Sequence, residues 1–215
     1  MAYTLVGIAG KKRHGKDTFG TLLHEELNKL GHRVVHRHLA EALKEEAAKF
    51  IAPAVKGIQW QGIYKEMIGN DDRRKEFWRP LMQFWGDLAR QQDGRDKWVK
   101  ALDKSMKKEL GGRGFHVFAT VNDCRYSEEI DWIKAEGGMV IRVIRPGASV
   151  SDEHQTETAL DNYNGFNFVV VNDGTIEDMR AQASNIAAAI VATKMVNDAK
   201  KVQEANDATS SLEAS

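Results

Sequence analysis

The sequence predicts an α/β fold: a five-stranded parallel sheet flanked by helices. Three observations predict it. Five short apolar runs are separated by longer stretches of helical periodicity, the alternation that builds parallel sheets. Two of the runs, residues 139–144 and 168–171, are apolar almost throughout and broken only by Arg142, as strands covered on both faces are. The first run leads straight into a loop rich in glycine and lysine and then into an amphipathic stretch, the setting of a phosphate-binding loop.

The first strand is read over 3–9 and the first helix over 16–30, where Phe19, Leu22, Leu23, Leu27 and Leu30 share a face and Gly31 stops it. Residues 33–38 form a short second strand around Val34 and Val35. Helices follow at about 40–52, stopped by Pro53, and at about 79–92, with Pro80 in its first turn. Another runs over about 95–110 to Gly111 and Gly112. The third strand is residues 115–121, and Ser127 caps the next helix, whose first turn carries Glu128 and Glu129. The fourth and fifth strands are the two runs named above. Residues 146–166 between them are polar without periodicity, and a segment of that length is usually functional or disordered. The last helix covers about 176–195, and 197–215 reads as a flexible, polar tail.

At 215 residues the chain fits one domain with an insert. Thirty-one basic residues balance 31 acidic ones, so bulk charge argues against nonspecific nucleic-acid binding. One cysteine, Cys124, excludes an internal disulfide and suits a reducing compartment. No signal pattern and no run of ~18 apolar residues point to secretion or a membrane span, so a cytoplasmic location is expected.

The richest chemistry lies in Gly10, Lys11, Lys12, Arg13, His14, Gly15, Lys16, Asp17 and Thr18. Glycines let the backbone turn its N–H groups onto a polyphosphate, and Lys16 adds charge at the β- and γ-phosphates. Asp17 stands where Ser or Thr usually follows the lysine, so Thr18 is the expected hydroxyl for Mg²⁺ or phosphate. After the third strand, Asp123 suits either water-mediated Mg²⁺ binding or orientation of the acceptor, and Arg125 suits a bidentate phosphate contact; a plain turn-fastening pair is the alternative. Arg145, at the end of the fourth strand, is the candidate charge on the transferred phosphoryl group, with Arg142 as a paired strand residue. His154 and Glu157 read as part of a hydrogen-bonded lid rather than a metal site. Arg73, Arg74, Arg79 and Arg90 are available for an acceptor phosphate, Arg79, Gln83 and Arg90 being preferred. Trp78, Trp85 and Trp98 either cover a base or simply fill the core.

These residues together resemble the phage deoxynucleoside monophosphate kinases, within the P-loop nucleoside monophosphate kinase group. The resemblance runs from residue 4 to about 190 through Gly15–Thr18, Leu39–Lys44, Arg79–Gly86 with Arg90, Trp98-Val99, Asp123-Cys124-Arg125, Gly137–Pro146, His154–Glu157 with Leu160-Asp161, and Asn172–Thr175. It implies a P-loop kinase domain over 1–195, with a helical monophosphate-binding insert at 40–100, a lid at 146–165 and a tail at 196–215. It implies transfer of the γ-phosphate of ATP to a dNMP with Mg²⁺. Lys16, Asp123, Arg125 and Arg145 are then catalytic, and residues 10–18 hold ATP. Lys44, Arg74, Arg79, Gln83, Trp85, Arg90, Trp98, Arg125 and Glu157 bind the acceptor, and Thr18 and Asp123 hold the metal, directly or through water. The partners are small nucleotides, with a homodimer allowed. Animal-type phosphomevalonate kinases look similar in the Lys-Asp loop, the Asp-x-Arg element and Glu157, Leu160, Asp161 and Asn162. A nucleotide-binding protein without turnover is the third reading.

Overall fold

Each apolar run seeds one strand: β1 (Tyr3–Ala9), β2 (Arg33–His38), β3 (Val117–Cys124), β4 (Met139–Ile144) and β5 (Phe168–Val171). The computed structural model describes residues 3–55, 57–69, 71–112, 114–148 and 158–213. All strand pairings are parallel, in the order β2-β3-β1-β4-β5. The chain therefore leaves β1 toward one edge and later reaches β4 on its other side. In such sheets ligands bind at that switch point, beyond the carboxyl ends of the strands.

The helices are α1 (Lys16–Lys29), α2 (Ala40–Ile51), α3 (Trp60–Ile68), α4 (Asp72–Asp93), α5 (Lys97–Leu110), α6 (Ser127–Ala135) and α7 (Ile176–Glu213). Alternate strand residues face opposite ways. Val6, Ile8, Phe118 and Ile141 pack against α1 and α7, while Leu5, Ala119, Val121 and Val140 pack against α5 and α6. Phe19 of α1 is fully buried; truncating a core phenylalanine to Ala costs about 3–5 kcal/mol. Helices α2 to α5 form a lobe with two small clusters, around Leu43, Ala89 and Trp98 and around Ala48, Ile63 and Met67.

The structure corrects several boundaries. Helix α3 stands where no helix was expected; it is nine residues long, and only Ile63 and Met67 are buried, too weak a periodic signal to read. Helix α4 starts well before Pro80, because Asp71 caps it, its Oδ1 accepting from the N–H of Arg73 at 2.9 Å and of Arg74 at 3.4 Å. Pro80 thus sits inside the helix, where it cannot donate to the carbonyl of Glu76. Strand β3 runs on to Cys124, so Asp123 lies within it. Tyr126 rather than Ser127 occupies the N-cap of α6, with Glu129 reaching back to the Tyr126 N–H at 3.0 Å. Helix α7 does not stop near 195 but continues to Glu213, its alanines and the (i, i+4) pair Lys194–Asp198 favouring helix.

Candidate active site

The loop between β1 and α1 is shaped by close approaches that only glycine permits. Gly15, at φ 93°, precedes the first turn of α1, and a Cβ there would lie 2.6 Å from Asn172 Nδ2. At Gly10 a Cβ would lie 2.5 Å from the carbonyl oxygen of Val143. Asn172, just past β5, donates its side-chain amide to the His14 carbonyl at 3.0 Å, and the Arg145 N–H donates to His14 Nδ1 at 3.3 Å. The loop is therefore gripped from the ends of β4 and β5. Among the described residues no side chain caps α1, so its leading N–H groups face the loop, as anion sites require.

Lys16 is buried, with its Nζ donating to the Lys11 carbonyl at 2.9 Å and standing 3.5 Å from Asp123 Oδ1. Asp123 owes its position to a bulge. Ile8 pairs with Asn122 but Ala9 pairs with Cys124, leaving Asp123 as the extra residue at φ 69°. Aspartate tolerates that conformation better than most side chains. The bulge aims its carboxylate at Arg125, whose Nε and Nη2 lie 3.0 and 2.9 Å from Oδ1. Burial pushes the Asp123 carboxyl up, but Arg125 and Lys16 outweigh it and hold it well below the usual carboxylate range. The turn is braced by Glu129, which accepts from the N–H of Arg125 at 2.6 Å and is itself pushed up to about 7 by burial.

From this corner a cleft of about 770 Å³ opens toward the helical lobe. The whole chain is neutral, yet the cleft wall carries eight basic residues against four acidic ones. Lys12, Arg13 and Lys16 come from the loop and Arg125 from β3, with Lys44, Lys75, Arg79 and Arg90 from α2 and α4. Arg90 is fixed by the Tyr126 ring, 4.1 Å from its guanidinium carbon, and by Asp87 at 3.2 Å. Burial holds the Lys44 ammonium below its usual range, against the opposing pull of Asp123. Beside these cations Tyr64, Met67, Ile68, Trp78 and Met82 make an apolar and aromatic wall.

Lys44, Arg79, Gln83, Arg90, Trp98 and Arg125 therefore share one cleft with Lys16 and Asp123. Trp98 is almost wholly buried and forms its floor. Two expected acceptor contacts lie elsewhere. Arg74 is exposed and paired with Glu66 and Asp71 at the start of α4. Trp85 is covered by α2, donating to Glu46 at 3.2 Å and packing 4.4 Å from Phe50. Thr18 is exposed and off the cleft, whereas Asp17 lines it. The Arg145 side chain is exposed and is not among the residues lining the cleft; its backbone N–H is the group that reaches the loop. Lys11 instead pairs with Asp161 at 2.8 Å, and Arg142 approaches the same carboxylate at 3.8 Å. His154 and Glu157 lie outside the described residues. Tyr64 and Met67 escaped the sequence reading because α3 did. Asn172 was visible only as part of a motif.

The chemistry of the donor set suits Mg²⁺. Asp17 and Asp123 offer hard carboxylate oxygens on the cleft wall, and the described residues hold no group of three His, Cys, Asp or Glu. Magnesium typically takes one or two carboxylates plus substrate phosphates and water, not an all-protein cage.

Among known proteins, the family described as deoxynucleotide monophosphate kinase matches residues 55–183, more than half of the chain. A protein of Acanthamoeba polyphaga mimivirus named for the same activity is 28% identical over 192 residues, covering 83% of this chain and 93% of its own. The deoxynucleotide monophosphate kinase of Enterobacteria phage T4 is 37% identical over 110 residues, 50% of this chain and 44% of that one. Among solved structures, dephospho-CoA kinase from Campylobacter jejuni has a TM-score of 0.42 at 14% identity, over 88% of this chain and 98% of that one. The chain belongs to the deoxynucleotide monophosphate kinase family.

Proposed function

We propose that the cleft carries ATP phosphates on loop 10–18 and a deoxynucleoside monophosphate on α2 to α5, and passes the γ-phosphoryl group directly between them. One observation carries this reading: Lys16 and Asp123 at the donor loop and Lys44, Arg79 and Arg90 on the helices line the same cleft. Phosphoryl transfer asks a protein for positioning and positive charge more than for covalent chemistry. Lys16 meets the β- and γ-phosphates as the N–H groups of α1 cradle them. Arg125, braced by Asp123, faces the transferred group, and Arg145, whose N–H donates to His14 of the loop, supplies further charge. Arg79 and Arg90 hold the acceptor phosphate, and the wall of Tyr64, Met67, Trp78 and Met82 covers the base. Asp123 and Asp17 would hold a Mg²⁺, which would neutralise phosphate charge on the donor.

The apolar and aromatic wall favours a nucleotide over phosphomevalonate, which has no ring to stack. The test is an acceptor panel. With Mg-ATP, ADP release is expected to depend on added dNMPs. Release with phosphomevalonate alone, or with no acceptor on the panel, overturns the assignment.

A further inference from the structure

Glu76 pairs with a residue on each side of this cleft without lining it. Its Oε1 lies 2.6 Å from Nζ of Lys12, on the phosphate loop, and its Oε2 lies 3.2 Å from Nε of Arg79, one turn further along α4. Lys12 and Arg79 both line the cleft, and Glu76 is not among its lining residues. Its side chain is half exposed, and exposed ion pairs contribute only about 0–1 kcal/mol to stability, so the cluster is no anchor of the fold. What it does is geometric. An arginine whose Nε is engaged presents its two terminal nitrogens in the fork that matches a phosphate. A lysine tethered at the same carboxylate keeps the donor loop beside that fork. Hydrogen bonding from Lys12 holds the Glu76 carboxyl below its usual range, so the charge that does this is present at neutral pH. Pro80 follows Arg79 directly and leaves the Glu76 carbonyl without its helical donor, so this turn of α4 relies on side-chain contacts more than its neighbours do.

We infer that Glu76 is a positioning residue, which ties Lys12 of the donor loop to Arg79 of the acceptor helix and so sets the two phosphates in line. The inference rests on the acceptor reading above. It acts through other residues and touches neither substrate. Losing it costs alignment, which is felt in the transition state more than in the binding of either nucleotide alone.

The experiment is a double-mutant cycle on kcat and on separate binding constants. Glu76→Gln keeps the shape and removes the charge. It is expected to lower kcat about 5- to 20-fold while the Kd of a non-hydrolysable Mg-ATP analogue, measured without acceptor, changes less than about 2-fold, at an unchanged Tm; these sizes are of the order of a single positioning contact. In a Lys12→Met or an Arg79→Met background the same change should have almost no further effect on kcat, because the tie is already cut. Glu76→Asp, which restores the charge, should recover part of the rate. Fully additive effects, or a loss confined to Tm, overturn the inference while leaving the kinase reading intact. A wild-type protein that turns over no dNMP overturns both.

Discussion

A single bulge decides which way Asp123 points. Without the extra residue between the Asn122 and Cys124 pairings, alternation along β3 would aim the carboxylate elsewhere. Lys16, Asp123 and Arg125 were legible in sequence as residues just after apolar runs, and the parallel pairing of β1 with β3 brings them to one corner. Spacing pointed to Thr18 as the hydroxyl after the lysine; Asp17 and Thr18 are both exposed in the first turn of α1, and of the two it is Asp17 that lines the cleft. Asp17→Asn is therefore expected to weaken Mn²⁺ binding in the nucleotide complex, followed by electron paramagnetic resonance, by about tenfold, in the range of the loss of one supporting ligand. Thr18→Ala should change it much less. The reverse order would return the metal role to Thr18.

At the scale of elements, α6 and α4 carry the consequences. Glu129 holds the Arg125 turn by accepting two backbone N–H groups, yet burial pushes its carboxyl from 4.5 to about 7. A raised carboxyl means the folded protein keeps a proton that the unfolded chain has lost. Its contribution is full below about 4.5, and stability falls as pH rises to about 7. At 1.36 kcal/mol per pH unit that loss is roughly 3 kcal/mol. Burial lowers His36 and His116 from 6.5 to about 4, so they add stability as pH rises through that lower window, in the opposite sense. The difference between wild type and Glu129→Gln isolates the carboxyl, since Gln still accepts both N–H groups. Chemical denaturation should show the variant gaining on the wild type between pH 5 and pH 8. Parallel curves would place the Glu129 titration outside that range. The strands and α1 were legible because their apolar periods are strong. Helix α3, with two buried residues, lacks a strong period, and the early start of α4, set by the local Asp71 cap, was masked by Pro80, which reads as a first-turn residue.

In the molecule as a whole, charge neutrality conceals a strongly cationic cleft, and no described helix is long and apolar enough to cross a membrane. Composition thus gave no hint of this local concentration of charge. The same scale separates the kinase core from the far end of α7. Inward apolar packing of that helix ends with Ile190 and Val191, while Met195, Val196 and Val202 are exposed. A chain stopped after Lys201 should keep its Tm within about 2 °C, since less than 1 kcal/mol is at stake, and its kcat should not change. A concentration-dependent fall in Tm would show instead that this end packs on a second copy.

The central claim is direct passage of the γ-phosphoryl group from ATP to a dNMP within one cleft. The most direct measurement follows the label from γ-labelled ATP mixed with Mg²⁺ and a dNMP. Label is predicted to enter dNDP in step with ADP, and Lys16→Met should transfer almost none, since loss of one preorganised charge at a reacting oxyanion costs about 10²–10³-fold. Label released as inorganic phosphate whether or not dNMP is present, or transfer by Lys16→Met at the wild-type rate, would contradict it.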